Sequence, residues 1–502
     1  MLVAMESGGG ALNPALMHGP ANRKCLYFLL GLALLGASYL LPLPEGMRPE
    51  GMLTLGVMAL AVTWWVTETL PVPVTAMMVP VILHMVGVLD MNQSLSQAFG
   101  DSFVPFLIGV LALSVAFTRS GLGQRITYRL LLLSGTRSTS VLAIYMSVSF
   151  VVSMFISDVA VVAMMLPITV GLLRAADIKP GQSNFGRAMM MTIMLGSTIG
   201  GMATPSGVTA NIITMSFLQK NANITVSFLD WVLIGTPIAL GIGLVAFWLI
   251  LKMFKPEIRE LPFGRDHIAT ELRKMGPWSS AEISTFVIFL TAAGLWLSGD
   301  WNKLPIALVS LIVLGLLSLP RIGAFDSWGP IEKGVEWGAL LLVVGGFTLG
   351  MAVKASGLAH WVAESGMGPM AALPLELQPL AVTLLVAVDS LGFSSMGASA
   401  AVNAPFVIAY AQQHGFPVLA LAMASGFAAS THFILVTESP SFVLPYAYGY
   451  FSFKDLFKIG IILTVASAII ISVGLVLAGM PAGEVNASIA AAAPVVAAPT
   501  GH

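Results

Sequence analysis

Long apolar stretches with almost no charge recur from residue 25 to residue 479, and they constrain what this chain can fold into. About 20 such residues span the hydrocarbon core of a bilayer as a helix. In that core the backbone must satisfy its own hydrogen bonds, which makes helices the expected element. Only 9% of the 502 residues are charged and 57% are hydrophobic. A soluble domain needs about a quarter of its residues charged to cover its surface. The expected class is therefore an all-α polytopic membrane protein embedded in a lipid bilayer. A single cysteine, Cys25, excludes a disulfide framework and a cysteine-rich metal or iron–sulfur site. A net charge of −1 and the lack of a basic run give no sign of a nucleic-acid partner. The Gly/Ala/Pro-rich first 22 residues carry no convincing cleavage site, so the stretch from Cys25 reads as a retained first helix.

Apolar segments fall near 25–43, 52–69, 72–89, 104–118, 141–156, 159–175, 188–213 and 229–251. After a polar stretch at 252–280 they resume near 281–298, 304–319, 337–355, 376–393, 397–412, 416–443 and 459–479. Several are too short for a full span. Those around Asp158 and Gly397 read as re-entrant hairpins, which are tolerated only where protein or a water-filled cavity surrounds them.

The two halves resemble each other. "LIGVLALSVAFTRSGL" (107–122) answers "VVGGFTLGMAVKASGL" (343–358), and "SDVAVVAMMLP" (157–167) answers "SMGASAAVNAP" (395–405) at nearly the same offset. An internal repeat of broken helices is the signature of secondary transporters, whose binding site lies where the repeats meet. The expected division is a tail and first helix at 1–51 and a first inverted repeat at 52–252, with its hairpin near 141–175. A cytoplasmic linker at 253–280 follows, then a second repeat at 281–480 with its hairpin near 376–412, and an Ala-rich tail at 481–502. With the N-terminus cytoplasmic and both hairpins returning to their side of entry, all but four of the 23 Lys and Arg residues fall on inside loops. The exceptions are Arg48, Lys220, Lys303 and Lys354. This layout has about 11 transmembrane helices plus two opposed hairpins, places the C-terminus outside, and suits a bacterial inner membrane or plasma membrane.

Five motifs carry a resemblance to a known family. They are "WWVTETLPVPVTA" (64–76), "SMFISDVAVVAMMLP" (153–167), "GSTIGGMATPSGVTAN" (196–211), "SGLAHWV" (356–362) and "YFSFKDLFKIG" (450–460). Together they resemble the divalent anion–sodium symporter (DASS) family over most of the chain from residue 52. The resemblance implies a cation-coupled symporter of a small anion of the di- or tricarboxylate or sulfate class, working by alternating access. It implies Na+ as the coupling ion, no organic cofactor, and a homodimer.

Carried over residue by residue, the resemblance places a first sodium site at Ser153, Ser157, Asp158 and Gly207. Asp158 stands where the family has Asn, and keeps a side-chain oxygen. The second cation site falls on Leu391, Ser394, Met396 and Thr437, where Leu391 and Met396 offer only backbone carbonyls. The substrate positions are Ser157, Asp158 and Val159 at the first tip, and Ser395, Met396 and Gly397 at the second. Ser439 joins them from Glu438-Ser439-Pro440-Ser441. Both amides and both threonine hydroxyls of the family's Ser-Asn-Thr tips are replaced. A dianion would meet Asp158 and, in one register, Glu438, with no Arg or Lys placed nearby.

Each of these residues also has a structural reading. Asp158 suits the N-terminus of a helix starting at about residue 159, where a carboxylate caps and complements the dipole. An intramembrane acid is equally a cation or proton site, and the two roles are compatible. Glu438 divides between a coupling group and a residue near the cytoplasmic rim. Asp389 reads as a titratable or a hydrogen-bonding group, and His432 as a satisfied core histidine. Asn211 and Asn403 read as helix–helix hydrogen bonders, and Lys354 as a snorkelling residue.

An alternative to sodium coupling is a proton-coupled transporter or exchanger of a monocarboxylate or less charged solute, with H+ carried by Asp158 or Glu438. A membrane-embedded enzyme is the remote alternative. The chain has no His-Glu-x-x-His, nucleophile elbow or phosphate-cradling loop.

Overall fold

A computed structural model describes residues 19–132, 137–260 and 264–478. The tail before residue 19 and the Ala-rich tail after 478 lie outside the described residues. Regular structure among those described is helical, apart from an isolated bridge between Arg137 and Glu260. The first half contributes α1 (Gly19–Leu40), α2 (Pro49–Thr67), α3 (Val72–Met85), α4 (Phe103–Ser120), α5 (Ser138–Ser153), α6 (Asp158–Ala175), α7 (Asn184–Met202), α8 (Thr209–Ala222) and α9 (Phe228–Met253). The second contributes α10 (Ser280–Leu297), α11 (Ile306–Leu317), α12 (Trp337–Ala355), α13 (Gln378–Ser390), α14 (Met396–His414), α15 (Val418–Ala429), α16 (Pro440–Tyr446) and α17 (Phe453–Leu477).

Eight of these, α1, α2, α4, α6, α9, α10, α12 and α17, contain stretches long and apolar enough to cross a membrane. On α9 and α17 the large exposed side chains are apolar, as lipid-facing surfaces must be. Leu233, Leu240, Leu244 and Trp248 mark that face on α9, and Ile462, Val465, Ile469 and Val473 on α17. By contrast, every residue of α7 from Ala188 to Met202 is buried, which makes it a central helix. Capping boxes start α9 (Ser227 with Asp230), α10 (Ser279 with Glu282) and α17 (Ser452 with Asp455). In each, the two side chains satisfy otherwise orphaned N–H groups.

The helices repeat in order: α2 to α9 correspond to α10 to α17. Packing repeats with them. α4 packs on α11 as α12 packs on α3, and α8 packs on α14 as α16 packs on α6. The correspondence reaches single atoms. A Cβ on Gly109 of α4 would collide with the Ser310 backbone of α11, and one on Gly345 of α12 with the Ala76 backbone of α3. Only glycine permits these two equivalent crossings, as small residues do in membrane helix pairs. The fold is an all-α polytopic one with an internal repeat.

Helix–break–helix units appear at both expected hairpins, α5/α6 and α13/α14. The segments near 188–213 and 416–443 are broken at 203–208 and 430–439. The polar stretch at 252–280 contains a helix at Gly264–Lys274. Two further short helices, Met91–Phe99 and Leu122–Leu131, lie between the apolar runs. Apolar length detects spans; these three are amphipathic and too polar to register on that scale.

Candidate functional site

Hairpin tips and helix breaks expose backbone groups that a membrane interior leaves unsolvated, so their meeting point is where a cation or solute can be held. In this chain both tips and both breaks meet at one cavity of about 280 Å³. The first tip supplies Ser157, Asp158 and Val159, and the first break Ser206, Gly207, Val208 and Thr209. Ser394, Ser395 and Met396 come from the second tip, and Ser439 and Pro440 from the second break. The opposite wall is made by Glu68 after α2, by α4, and by Glu336 and the start of α12.

Local hydrogen bonds fix these irregular segments. At the first tip, the Met154 carbonyl accepts from Thr204 Oγ1 and, at 3.2 Å, from Ser206 Oγ, which binds the tip to the first break. Asn211 Nδ2 donates to the carbonyls of Thr204 (2.7 Å), Gly201 (3.0 Å) and Met202 (3.4 Å). It therefore staples the unwound segment, in keeping with its reading as a hydrogen bonder. Asn211→Leu is expected to destabilise the fold by about 1–3 kcal/mol, because buried carbonyls lose their donor. A thermal melt of the full chain in detergent would read this as a lower Tm, and an unchanged Tm would remove Asn211 from this role.

The second hairpin is laced internally. Ser390 and Ser399 hydroxyls lie 2.7 Å apart, and Asn403 Nδ2 donates to Asp389 Oδ2 at 2.7 Å. Asp389 and Asn403 thus bind each other across the hairpin arms. His432 is buried, with Nδ1 at 3.0 Å from the Glu438 carbonyl.

Of the residues singled out in the sequence, Ser157, Asp158, Val159, Gly207, Ser394, Ser395, Met396 and Ser439 line the cavity. Four lie elsewhere. Ser153 is buried beneath the first tip, and its hydroxyl has no hydrogen-bond partner. Gly397 packs against Thr209, while Thr437 is exposed on the turn at 436–438. Glu438 is buried within the second break, where its Oε2 accepts from the Ile434 N–H at 3.1 Å.

The cavity's other acids are not Glu438 but Glu68 and Glu336, which sequence reasoning missed. Glu68 is the left-handed C-cap of α2 (φ 46°), its N–H directed to the Trp64 and Trp65 carbonyls. Glu336 sits at the N-cap position of α12, and Ser157 Oγ donates to its Oε1 at 3.5 Å. Signals existed for both: Glu68 lies inside "WWVTETLPVPVTA", and Glu336 directly precedes the apolar run at 337–355.

Asp158 is the deepest of the three acids. It is 7% exposed and stands in the first turn of α6. Its Oδ2 has no hydrogen-bond partner. The helix begins one residue earlier than expected, with Ser157 at the N-cap position and making no capping bond. A hard cation takes oxygen ligands, and the Ser157 hydroxyl, the Asp158 carboxylate and the Gly207 backbone supply that donor type in one place. Across the cavity the Met396 thioether suits a hard cation poorly, which leaves Ser394 as the hydroxyl of the second candidate site.

Comparison with known proteins gives consistent relatives. A family described as "Sodium:sulfate symporter transmembrane region" matches residues 22–481. The sodium-dependent dicarboxylate transporter SdcS of Staphylococcus saprophyticus is 26% identical over 469 residues, covering 88% of this chain and 89% of that one. An uncharacterized transporter of Haemophilus influenzae is 28% identical over 85% of this chain and 91% of its own. Among solved structures, the YdaH transporter of Alcanivorax borkumensis is similar in fold, with a TM-score of 0.52 at 16% identity. That likeness covers 77% of this chain and 89% of the other.

Proposed function

Because the chain belongs to the sodium:sulfate symporter family, we propose that it moves a small carboxylate-bearing anion across the membrane by alternating access, coupled to Na+. It is an integral membrane transporter and not an enzyme, as its family and relatives are transporters. One observation carries the finer reading: both hairpin tips and both helix breaks converge on a single cavity with hydroxyl, carboxylate and backbone oxygens. In this reading the hairpin-bearing helices α5–α9 and α13–α17 form the moving body. Helices α2–α4 and α10–α12 form the scaffold, with the repeats divided at 52–252 and 281–480. Ser153, Ser157, Asp158 and Gly207 take the first Na+, and Ser394 belongs to the second cation position. The N-terminus is cytoplasmic, and the scaffold pairs two copies as a homodimer. The relatives named as sodium-dependent dicarboxylate transporters support the sodium and carboxylate parts of the reading.

The test is uptake into proteoliposomes holding the full chain. An inward Na+ gradient is expected to drive accumulation of a labelled carboxylate above its equilibrium level, and collapse of the gradient to release it. Equal uptake with sodium, potassium or a proton gradient would sink the sodium part. A purely equilibrative signal would sink the transporter mechanism.

A further inference from the structure

Three helices run from the central cavity to a second pocket. The cavity touches α4 from Leu107 onward, α8 at Thr209 and Ile212, and α12 as far as Leu342. A pocket of about 880 Å³ is lined by Ser102 at the start of α4, Gln219 and Lys220 at the end of α8, and Met351 and Lys354 at the end of α12. At 1.5 Å per residue, about 8–14 Å of helix separates the two. No described residue lines both. Between them Phe217 of α8 and Phe347 of α12 are buried and pack edge to face, with ring centroids 5.8 Å apart. A Cβ on Gly350 would collide with the Phe217 ring, so α8 and α12 meet here as closely as glycine permits.

Lys220 secures this packing from the second pocket. Its Nζ lies 2.6 Å from Asp101 Oδ2, just before α4, and 4.2 Å from the Phe347 centroid. Asp101 is held in turn. Its Oδ1 accepts from the Phe103 N–H at 2.8 Å, and its Oδ2 from Ser216 Oγ at 3.3 Å. Lys354 of α12 donates to the Lys220 carbonyl at 3.2 Å. The bonds of Ser216, Lys220 and Lys354 therefore all join α8 to α4 or α12. Toward the opposite end of α4 the cavity continues. A pocket of about 270 Å³ shares Ser114, Ser157 and Glu336 with it and reaches Thr118 and Arg119.

We propose that Asp101 and Lys220 form a latch between moving body and scaffold. It holds the cavity shut toward the second pocket and parts each time the cavity opens there, because a body that moves against its scaffold exchanges contacts across that boundary. The inference rests on the alternating-access reading above and adds the pair that governs the movement. With the N-terminus cytoplasmic, the latch lies on the outer side. Lys220 and Lys354 are two of the four basic residues that the charge bias leaves there.

The test uses the full chain in proteoliposomes, carrying Cys25→Ser, Asp101→Cys and Lys220→Cys. Uptake of labelled succinate and citrate on an inward Na+ gradient is measured before and after a short bis-methanethiosulfonate bridges the two thiols. Bridging is expected to cut uptake by about tenfold or more. A reductant should restore it, and the sodium-dependent rise in Tm should persist in the bridged protein. Unchanged uptake by protein shown by mass to be bridged would overturn the proposal, as would a loss that the reductant does not reverse. So would loss of the sodium-dependent rise in Tm, which would put the linker's effect at the cation site. Asp101→Asn with Lys220→Met removes both charges together, which a buried pair tolerates far better than the loss of one. This double variant is expected to fold and to transport at or above the parent rate. If it does not fold, or folds without transporting, the pair is structural or serves the solute itself, and the latch is overturned. A parent chain that accumulates neither probe would instead remove the transporter reading and this inference with it.

Discussion

Asp158→Asn is expected to leave sodium-driven uptake intact in kind but to weaken apparent sodium affinity by about tenfold. The loss of one charged ligand is worth about 1.5–3 kcal/mol, which sets that scale. Asn keeps a side-chain oxygen in the same place and removes the charge. Asp158→Ala removes both, and is expected to reduce uptake by about a hundredfold or more. Stability should move the other way. The Asp158 carboxylate is buried, and its Oδ2 has no partner. Burying an unsatisfied charge costs free energy that a neutral isostere does not incur. In sodium-free buffer the Asn variant is therefore expected to melt at or above the temperature of the parent chain. In sodium it should lose most of the cation-dependent rise in Tm, because a ligand stabilises only the state that binds it. The same variant separates sodium from proton coupling. Were the carboxylate a proton carrier, the Asn variant would lose its pH dependence, so unchanged pH dependence and stoichiometry exclude Asp158 from that role. Unchanged sodium affinity would exclude the carboxylate as a sodium ligand.

Arg125→Ala should cause the largest loss of stability for a single change away from the cavity, about 3–5 kcal/mol, the cost of leaving a buried charge unpaired. Arg125 Nε donates to Glu282 Oε1 at 2.6 Å, with both side chains at most 4% exposed. Its other nitrogens donate to the carbonyls of Gly276 (2.9 Å), Pro277 (3.1 Å) and Met275 (3.2 Å). The guanidinium also lies over the Trp278 ring, 5.4 Å from its centroid. One side chain thus joins the helix at Leu122–Leu131, the segment between the halves and the start of α10. Glu282→Gln is the milder change, since Gln still serves the N3 position of the α10 capping box. A denaturant or thermal series on the full chain in detergent measures both. A loss below about 1 kcal/mol for Arg125→Ala would show the pair to be worth no more than a surface ion pair. Because the pair is not at the cavity, the sodium dependence of whatever protein remains folded should be unchanged.

Much of the fold was legible because the bilayer imposes one-dimensional rules. Apolar length locates the spans, and the short runs on either side of Asp158 and Gly397 locate the two hairpins. The likeness of 107–122 to 343–358 reports a repeat that the crossings at Gly109 and Gly345 reproduce in three dimensions. The site was legible where motifs carry it, and for that reason Ser157, Asp158, Gly207 and Ser395 all line the cavity. Glu438 is a case where local sequence misled. It stands next to a lining residue, Ser439, but its carboxylate turns back to the Ile434 N–H inside the break. Lys354 lies exposed near the end of α12, where its amine donates to the Lys220 carbonyl.

What the sequence alone determined is the class of molecule, the order of its helices, and the segments that are broken rather than continuous. Each follows from the free energy of placing a run of side chains in hydrocarbon, a property of neighbours along the chain. Tertiary structure alone decided which charges face one another. Ser157 meets Glu336 across 179 residues, and Arg125 meets Glu282 across 157. A charge inside a membrane protein is stabilised by whatever packs beside it, and that partner comes from another helix, so no local pattern announces it. Glu68 and Glu336 came to line one cavity with Asp158 only once the scaffold helices had folded against the hairpin tips.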